Sequence, residues 1–188
     1  IRTLPMKHTG NNQWRAKAVG NLKGRFYTFD IPGLKYGETP GIFATAVGVN
    51  GKRAAIIDLR DTDPEGWAED RRPPLASPAD LVLYELHHRD FSIHPSSGIS
   101  NKGKFLALTD PKSIAHLKAL GVNAVHLLPS FDYASVDETQ FNKAQYNWGY
   151  DPLNYNVPEG SYSTNPYRPD VRIREFKQMV QALHRAGI

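Results

Sequence analysis

Two short apolar runs, Leu81–Leu86 and Val122–Leu128, stand one helix apart, and that spacing leaves few folds open. Each is too short for a helix and apolar enough to lie buried in a sheet. Between them Thr109 or Asp110 can cap a helix, Pro111 suits its first turn, and Ile114, Leu117 and Leu120 make one face. Gly121 stands where a helix wants a left-handed residue at its end. A second helical pattern opens at Asp170, carries Ile173, Phe176, Val180 and Leu183 on one face, and closes at Gly187. Strand, helix, strand, helix at these lengths predicts parallel strands joined by right-handed crossovers. Two parallel strands alone have an open edge and an uncovered face, so a chain that stops at Ile188 is expected to be a fragment.

Residues 1–60 follow a different pattern. Arg25–Phe29, Ile42–Val47 and Ala54–Leu59 read as short strands, and Asn50-Gly51 between the last two is a strong hairpin signal. Such strands suggest part of a β-sandwich, with Trp14, Tyr27 and Tyr36 packed in its core. Residues 61–80 hold Pro64, Gly66, Pro73, Pro74 and Pro78 among charges, which marks a linker before a second domain at 81–188.

Charge and composition exclude several functions. Lys and Arg number 23 against 19 Asp and Glu, and the basic residues cluster no further than pairs such as Arg71-Arg72. That argues against nucleic acid as a partner. No apolar stretch is long enough to span a membrane, and no signal peptide is expected in this span. The absence of cysteine removes disulfides, thiol catalysis and Cys-ligated zinc, and leaves the cellular compartment open.

Nine aromatics (Phe131, Tyr133, Phe141, Tyr146, Trp148, Tyr150, Tyr155, Tyr162 and Tyr167) crowd residues 131–167, a stretch rich in Asn, Pro and Gly. In turn-rich sequence they form either an internally packed loop or a ligand platform. Other candidates are weaker. Glu85 suits an ion-pair network with Arg89. His87 and His88 are adjacent, so on a strand they face opposite ways, which is poor metal-ligand spacing. Asp61-Thr62-Asp63 lacks the Gly and terminal Glu of a calcium loop and reads as a turn.

The string Tyr146-Asn147-Trp148-Gly149-Tyr150-Asp151-Pro152 resembles the YNWGYDP signature of type I pullulanases, in the α-amylase superfamily (glycoside hydrolase family thirteen). Leu153 through Ser163, with its PEGSYS string, continues the likeness. Tyr84 through Ser92 looks like the first barrel strand of those enzymes, Gly121 through Pro129 like the second, and Arg174 through His184 like the helix before the third. The resemblance implies a multidomain fragment, a β-sandwich portion followed by the first two βα units of a (β/α)8 TIM barrel. Residues 81–188 are too few for a whole barrel of about 250 residues.

The same resemblance implies hydrolysis of α-1,6 linkages in pullulan, amylopectin and limit dextrins with retention, which needs two carboxyl groups about 5–5.5 Å apart. The family's nucleophile Asp, acid/base Glu and third Asp are expected beyond Ile188, so no catalytic or metal-ligating residue is assigned in this chain. Tyr150 matches the tyrosine that stacks under the sugar at the cleaved bond, with Asp151 beside it as an orienting carboxylate. Tyr146, Asn147, Trp148 and Tyr155 join them as substrate-binding candidates, although Asn147 and Trp148 suit a buttressing role equally well. No cofactor is implied, and calcium is left open for the longer protein. The expected partners are an α-glucan and the remainder of the chain's own barrel. Two alternatives stand beside this one. The first is a non-catalytic α-glucan-binding module, disfavoured by the strand–helix half. The second is an isoamylase or branching-enzyme relative, disfavoured by the intact YNWGYDP and PEGSYS strings.

Overall fold

The computed structural model describes residues 2–33, 35 and 37–188. Its first part contains β1 (Lys7–His8), β2 (Trp14–Arg15), β3 (Phe26–Tyr27), β4 (Phe29–Asp30), β5 (Glu38–Thr39) and β6 (Ala54–Ala55). They pair antiparallel as β1 with β2, β3 with β6 and β4 with β5. The expected strand over Ile42–Val47 does not form. Only Val47 bridges to Ala54, and Ile42 and Phe43 stay exposed, because among the described residues no neighbouring segment offers them a ladder. Asn50-Gly51 does reverse the chain, with φ of 57° and 64°, and Gly48 N–H reaches Arg53 O at 2.9 Å across the turn. Trp14 and Tyr27 are not core residues: Trp14 is 60% exposed and Tyr27 37%, since among the described residues no second sheet covers these two-residue pairs. Tyr36 lies outside the described residues.

The second part is built around β7 (Leu83–Leu86) and β8 (Ala124–Leu127), which pair in parallel from Leu83↔Ala124 to Leu86↔Leu127. Between them lie the short α1 (His88–Ser92) and α2 (Pro111–Ala119). Asp110 caps α2 by accepting Lys112 N–H at 2.9 Å, and Gly121 follows with φ of 73°. Leu117 is fully buried and Ile114 packs against the core, whereas Leu120 is exposed and so falls outside the expected face. β9 (Phe131–Tyr133) and β10 (Pro152–Pro158) then form an irregular antiparallel pair, followed by α3 (Pro169–Arg185). Asp170 sits one residue inside α3 and pairs with Arg168. The core joins Leu86, Leu117, Val122, Tyr162, Met179 and Leu183.

The two apolar runs are less buried than their composition suggests. Leu81 and Val82 precede β7 and are exposed, and Leu83, on the face it shares with Glu85, is exposed because no layer covers that face among the described residues. The first part of the expected linker lies against α3. Lys177 Nζ donates to Leu59 O and Thr62 Oγ1, both at 2.9 Å, and pairs with Asp63. His184 meets Asp70 at 2.6 Å. Asp61-Thr62-Asp63 is a turn, with Leu59–Thr62 in a 3-10 helix and Asp61 paired with Lys23.

Candidate functional site

The C-terminal ends of the two parallel strands carry His87 and His88 after β7 and Ser130 after β8. His87 and His88 do not face opposite ways as expected, because the chain turns into α1 here. Both are buried, and both rings lie against Tyr162. His88 Nε2 bonds Ser130 Oγ at 2.9 Å, tying the two strand exits together. Burial holds His88 far down, at about 3, so it stays neutral. His87 Nδ1 accepts Asp90 N–H at 3.3 Å, which leaves its proton on Nε2, 2.8 Å from Asn147 O. The Tyr162 hydroxyl shares that nitrogen at 3.1 Å. The loop between β9 and β10 is thereby fastened to the end of β7.

Within this loop the motif divides by chemistry. Asn147 Oδ1 accepts Gly149 N–H at 2.8 Å, and its Nδ2 donates to Asp151 Oδ1 at 2.6 Å. The second Asp151 oxygen accepts the Ser135 hydroxyl. Burial opposes charge on Asp151, but the hydrogen bonds from Ser135 and Asn147 outweigh it and hold the carboxyl below its ordinary range. Gly149 adopts φ of 89°, and a Cβ there would press into Pro129 and Tyr133. Glycine therefore lets the loop lie close to the strand end.

The aromatics point the other way. Tyr150 is 66% exposed, Tyr155 71%, and Tyr146 and Trp148 are also open. Tyr155 packs on Phe131 at 5.1 Å between ring centroids, and Tyr146 lies 5.5 Å from the His87 ring. Of the two residues suited equally to buttressing, Asn147 buttresses and Trp148 is presented. Glu85 pairs with His126 at 3.0 Å rather than with Arg89, because residue-for-residue parallel register sets Glu85 opposite His126. Arg89 pairs with Asp90 instead.

A buried ionic cluster, unmarked in the sequence, lies beneath this loop region. Asp132, Glu138 and Glu159 lie together, the first two on Arg172 of α3, and all four residues are essentially inaccessible. Arg172 Nη1 donates to Asp132 Oδ1 and Nη2 to Glu138 Oε2, each at 3.1 Å. Glu159 accepts the backbone N–H groups of Tyr133 and Ser161. Asn50 donates its N–H to Glu138 at 2.6 Å and accepts Glu138 N–H at 2.7 Å, and Asn154 bridges Asp132 to Gly51 O. The cluster therefore holds the 50–51 turn against the second part. One oxygen from each carboxylate lies within 4.8 Å of the others, a spacing that suits a cation. Arg172 already supplies positive charge here, and Asn50, Asn154 and the Tyr133 and Ser161 N–H groups donate to the carboxylate oxygens. Four charged residues scattered from 132 to 172 carry no local pattern that would have revealed them.

No family model matches the chain. A pullulanase of Bacillus subtilis is 41% identical over 197 residues, covering all of this chain and 27% of its own length. A mutant pullulanase of Paenibacillus barengoltzii, solved with maltotriose, superposes with a TM-score of 0.94 at 50% identity, covering 98% of this chain and 30% of that one. An isoamylase of Oryza sativa subsp. japonica is 40% identical over 137 residues, 68% of this chain and 17% of its own length. All three similar proteins carry the names of two related starch-enzyme groups. By sequence and by structure, along its whole length, the chain belongs to the pullulanase family, and it spans about a quarter of the relatives it matches.

Proposed function

We propose that this chain is the cleft-bearing early part of a debranching glycoside hydrolase that cleaves α-1,6-glucosidic linkages in pullulan, amylopectin and limit dextrins with retention. The observation that carries this reading is the loop at the strand ends, with Tyr150 presented to solvent beside an Asp151 held ionised by Asn147 and Ser135. A sugar ring packs its C–H face on an aromatic plane, and its hydroxyls need a polar partner at the rim. Tyr150 supplies the plane and Asp151 the partner. Tyr146, Trp148 and Tyr155 extend the aromatic surface, and Asn147 fixes its shape. Maltotriose in the Paenibacillus pullulanase supports an α-glucan as the ligand here.

In this reading residues 81–188 are the first two βα units of a (β/α)8 barrel, 1–60 the end of a carbohydrate-binding β-sandwich, and 61–80 their linker. The parallel register of β7 and β8, with α2 between them and α3 after, supports the barrel units. A groove of about 350 Å³ bordered by Leu75, Leu81, Val125, Met179 and Ile188 suits the remaining barrel. The reacting carboxylates belong to that remainder. Asp132, Glu138 and Glu159 are close together but fully buried, where no sugar reaches them. The isoamylase likeness favours a second reading, a debranching enzyme that attacks amylopectin and leaves pullulan intact.

The test is Tyr150→Ala in the full-length protein. Tyr150 is exposed, so the fold is expected to survive, while misplacing the sugar lowers kcat/KM on the branched glucan by about 10²-fold. An unchanged kcat/KM overturns the assignment of this loop.

A further inference from the structure

Behind the motif loop lies a cavity of about 320 Å³, between the segment after α1 and residues 133–147. Arg89, Lys102, Lys104 and Lys143 line it, and no carboxylate does. The chain carries a net charge of only +4, so four cations around one cavity are a local concentration. Arg89 pairs with Asp90, but Lys102, Lys104 and Lys143 form no ion pair with any described residue. Lys102 donates to Pro95 O and Ser97 Oγ. Lys104 is the most telling. Its Nζ donates to Ser161 O at 2.7 Å and stands 4.3 Å from the centre of the Phe141 ring. Burial lowers the Lys104 pKa, and the carboxylates of Glu175, Glu138 and Glu159 counter this only through space. An ammonium carries three protons, and Lys104 spends one on Ser161. A half-buried cation with no carboxylate in direct contact is costly, and a bound anion relieves the cost.

We propose that this cavity is a binding site for a sugar phosphate monoester. A phosphate monoester carries −1.5 to −2 charges near pH 7 and three acceptor oxygens, which match several separate cations better than one carboxylate does. The volume falls at the lower end of small-molecule pockets, about 300 Å³ and upward, and exceeds what a bare anion needs. Tyr133 and Ser161, whose hydroxyls meet at 3.1 Å, give the sugar an aromatic wall and hydroxyl partners. The ester is either a free sugar phosphate or a phosphorylated unit of a glucan chain.

Calorimetric titration of the full-length protein at constant ionic strength tests this, with glucose 6-phosphate, a phosphorylated maltooligosaccharide and inorganic phosphate as the ligands. Saturable binding of glucose 6-phosphate is expected, weakened about tenfold in Lys104→Met, the loss of one charge-assisted hydrogen bond. Tighter binding of the oligosaccharide identifies the glucan source, and equal binding identifies the free ester. Lys143→Met serves where Lys104→Met fails to fold. Tyr150→Ala leaves this binding unchanged, so the site stands even if the debranching reading falls. Absence of saturable binding overturns the proposal, as does binding undiminished in both lysine variants. Inorganic phosphate bound as tightly as glucose 6-phosphate overturns the sugar.

Discussion

Arg172 is fully buried on the long helix, and its guanidinium reaches across the molecule to Asp132, Glu138, Pro166 O and Gly48 O. Asp132 and Glu138 share this single cation, and Glu159 lies beside them without bonding it. Burial, together with the charges of Glu138 and Asp132, pushes Glu159 up to about 8, and burial pushes Asp132 up to about 6. A carboxyl raised in the folded state keeps its proton where the unfolded chain has already lost it. Between pH 6.5 and 8 the folded state alone gives up a proton as pH rises, so stability falls across that window. His88, neutral in the fold but still half protonated in the unfolded chain at pH 6.5, offsets only a minor part of this. The expected loss is about 1 kcal/mol, or about 2–4 °C in Tm for a chain of this size. Thermal melts at pH 6.5 and 8 check it, and a Tm that holds or rises contradicts a Glu159 carboxyl raised by burial beside two other carboxylates.

At the scale of elements, α2 offers a clean contrast. Leu117→Ala empties a fully buried site and is expected to cost about 2–5 kcal/mol, whereas Leu120→Ala, on an exposed position, should stay within about 0.5 kcal/mol. Urea melts of the two variants distinguish the faces, and equal losses would mean that α2 packs otherwise. This helix was legible in the sequence because its signals are local: Asp110 caps it, Pro111 opens it, and Gly121 takes the left-handed turn. Ile42–Val47 misled for the opposite reason, since a strand exists only where a partner reaches it. The motif loop was legible as an aromatic surface, but its fastening was not. His87 meets Asn147 across 60 positions of sequence, and Glu138 meets Asn50 across 88, distances at which spacing carries no signal.

For the whole molecule, the exposed face of β7 is the feature that the barrel reading must explain. Leu83 is 62% exposed in this chain. Leu83→Lys should therefore change the stability of the 188-residue chain by no more than about 0.5 kcal/mol. In the full-length protein, where the rest of a barrel is proposed to cover that face, the same substitution buries an unpaired ammonium and should lower stability by several kcal/mol, on the order of the cost of desolvating a charge. Thermal melts of both proteins read the difference, and a neutral effect in each would count against a covering barrel.

The debranching reading itself is tested most directly by product analysis of pullulan incubated with the full-length protein. Cleavage of α-1,6 linkages releases maltotriose as the repeating product, and that is the expected result. A pullulan polymer left intact, under conditions in which the protein debranches amylopectin, contradicts the pullulanase account in favour of an isoamylase-like enzyme. Pullulan and amylopectin both left intact contradict debranching altogether.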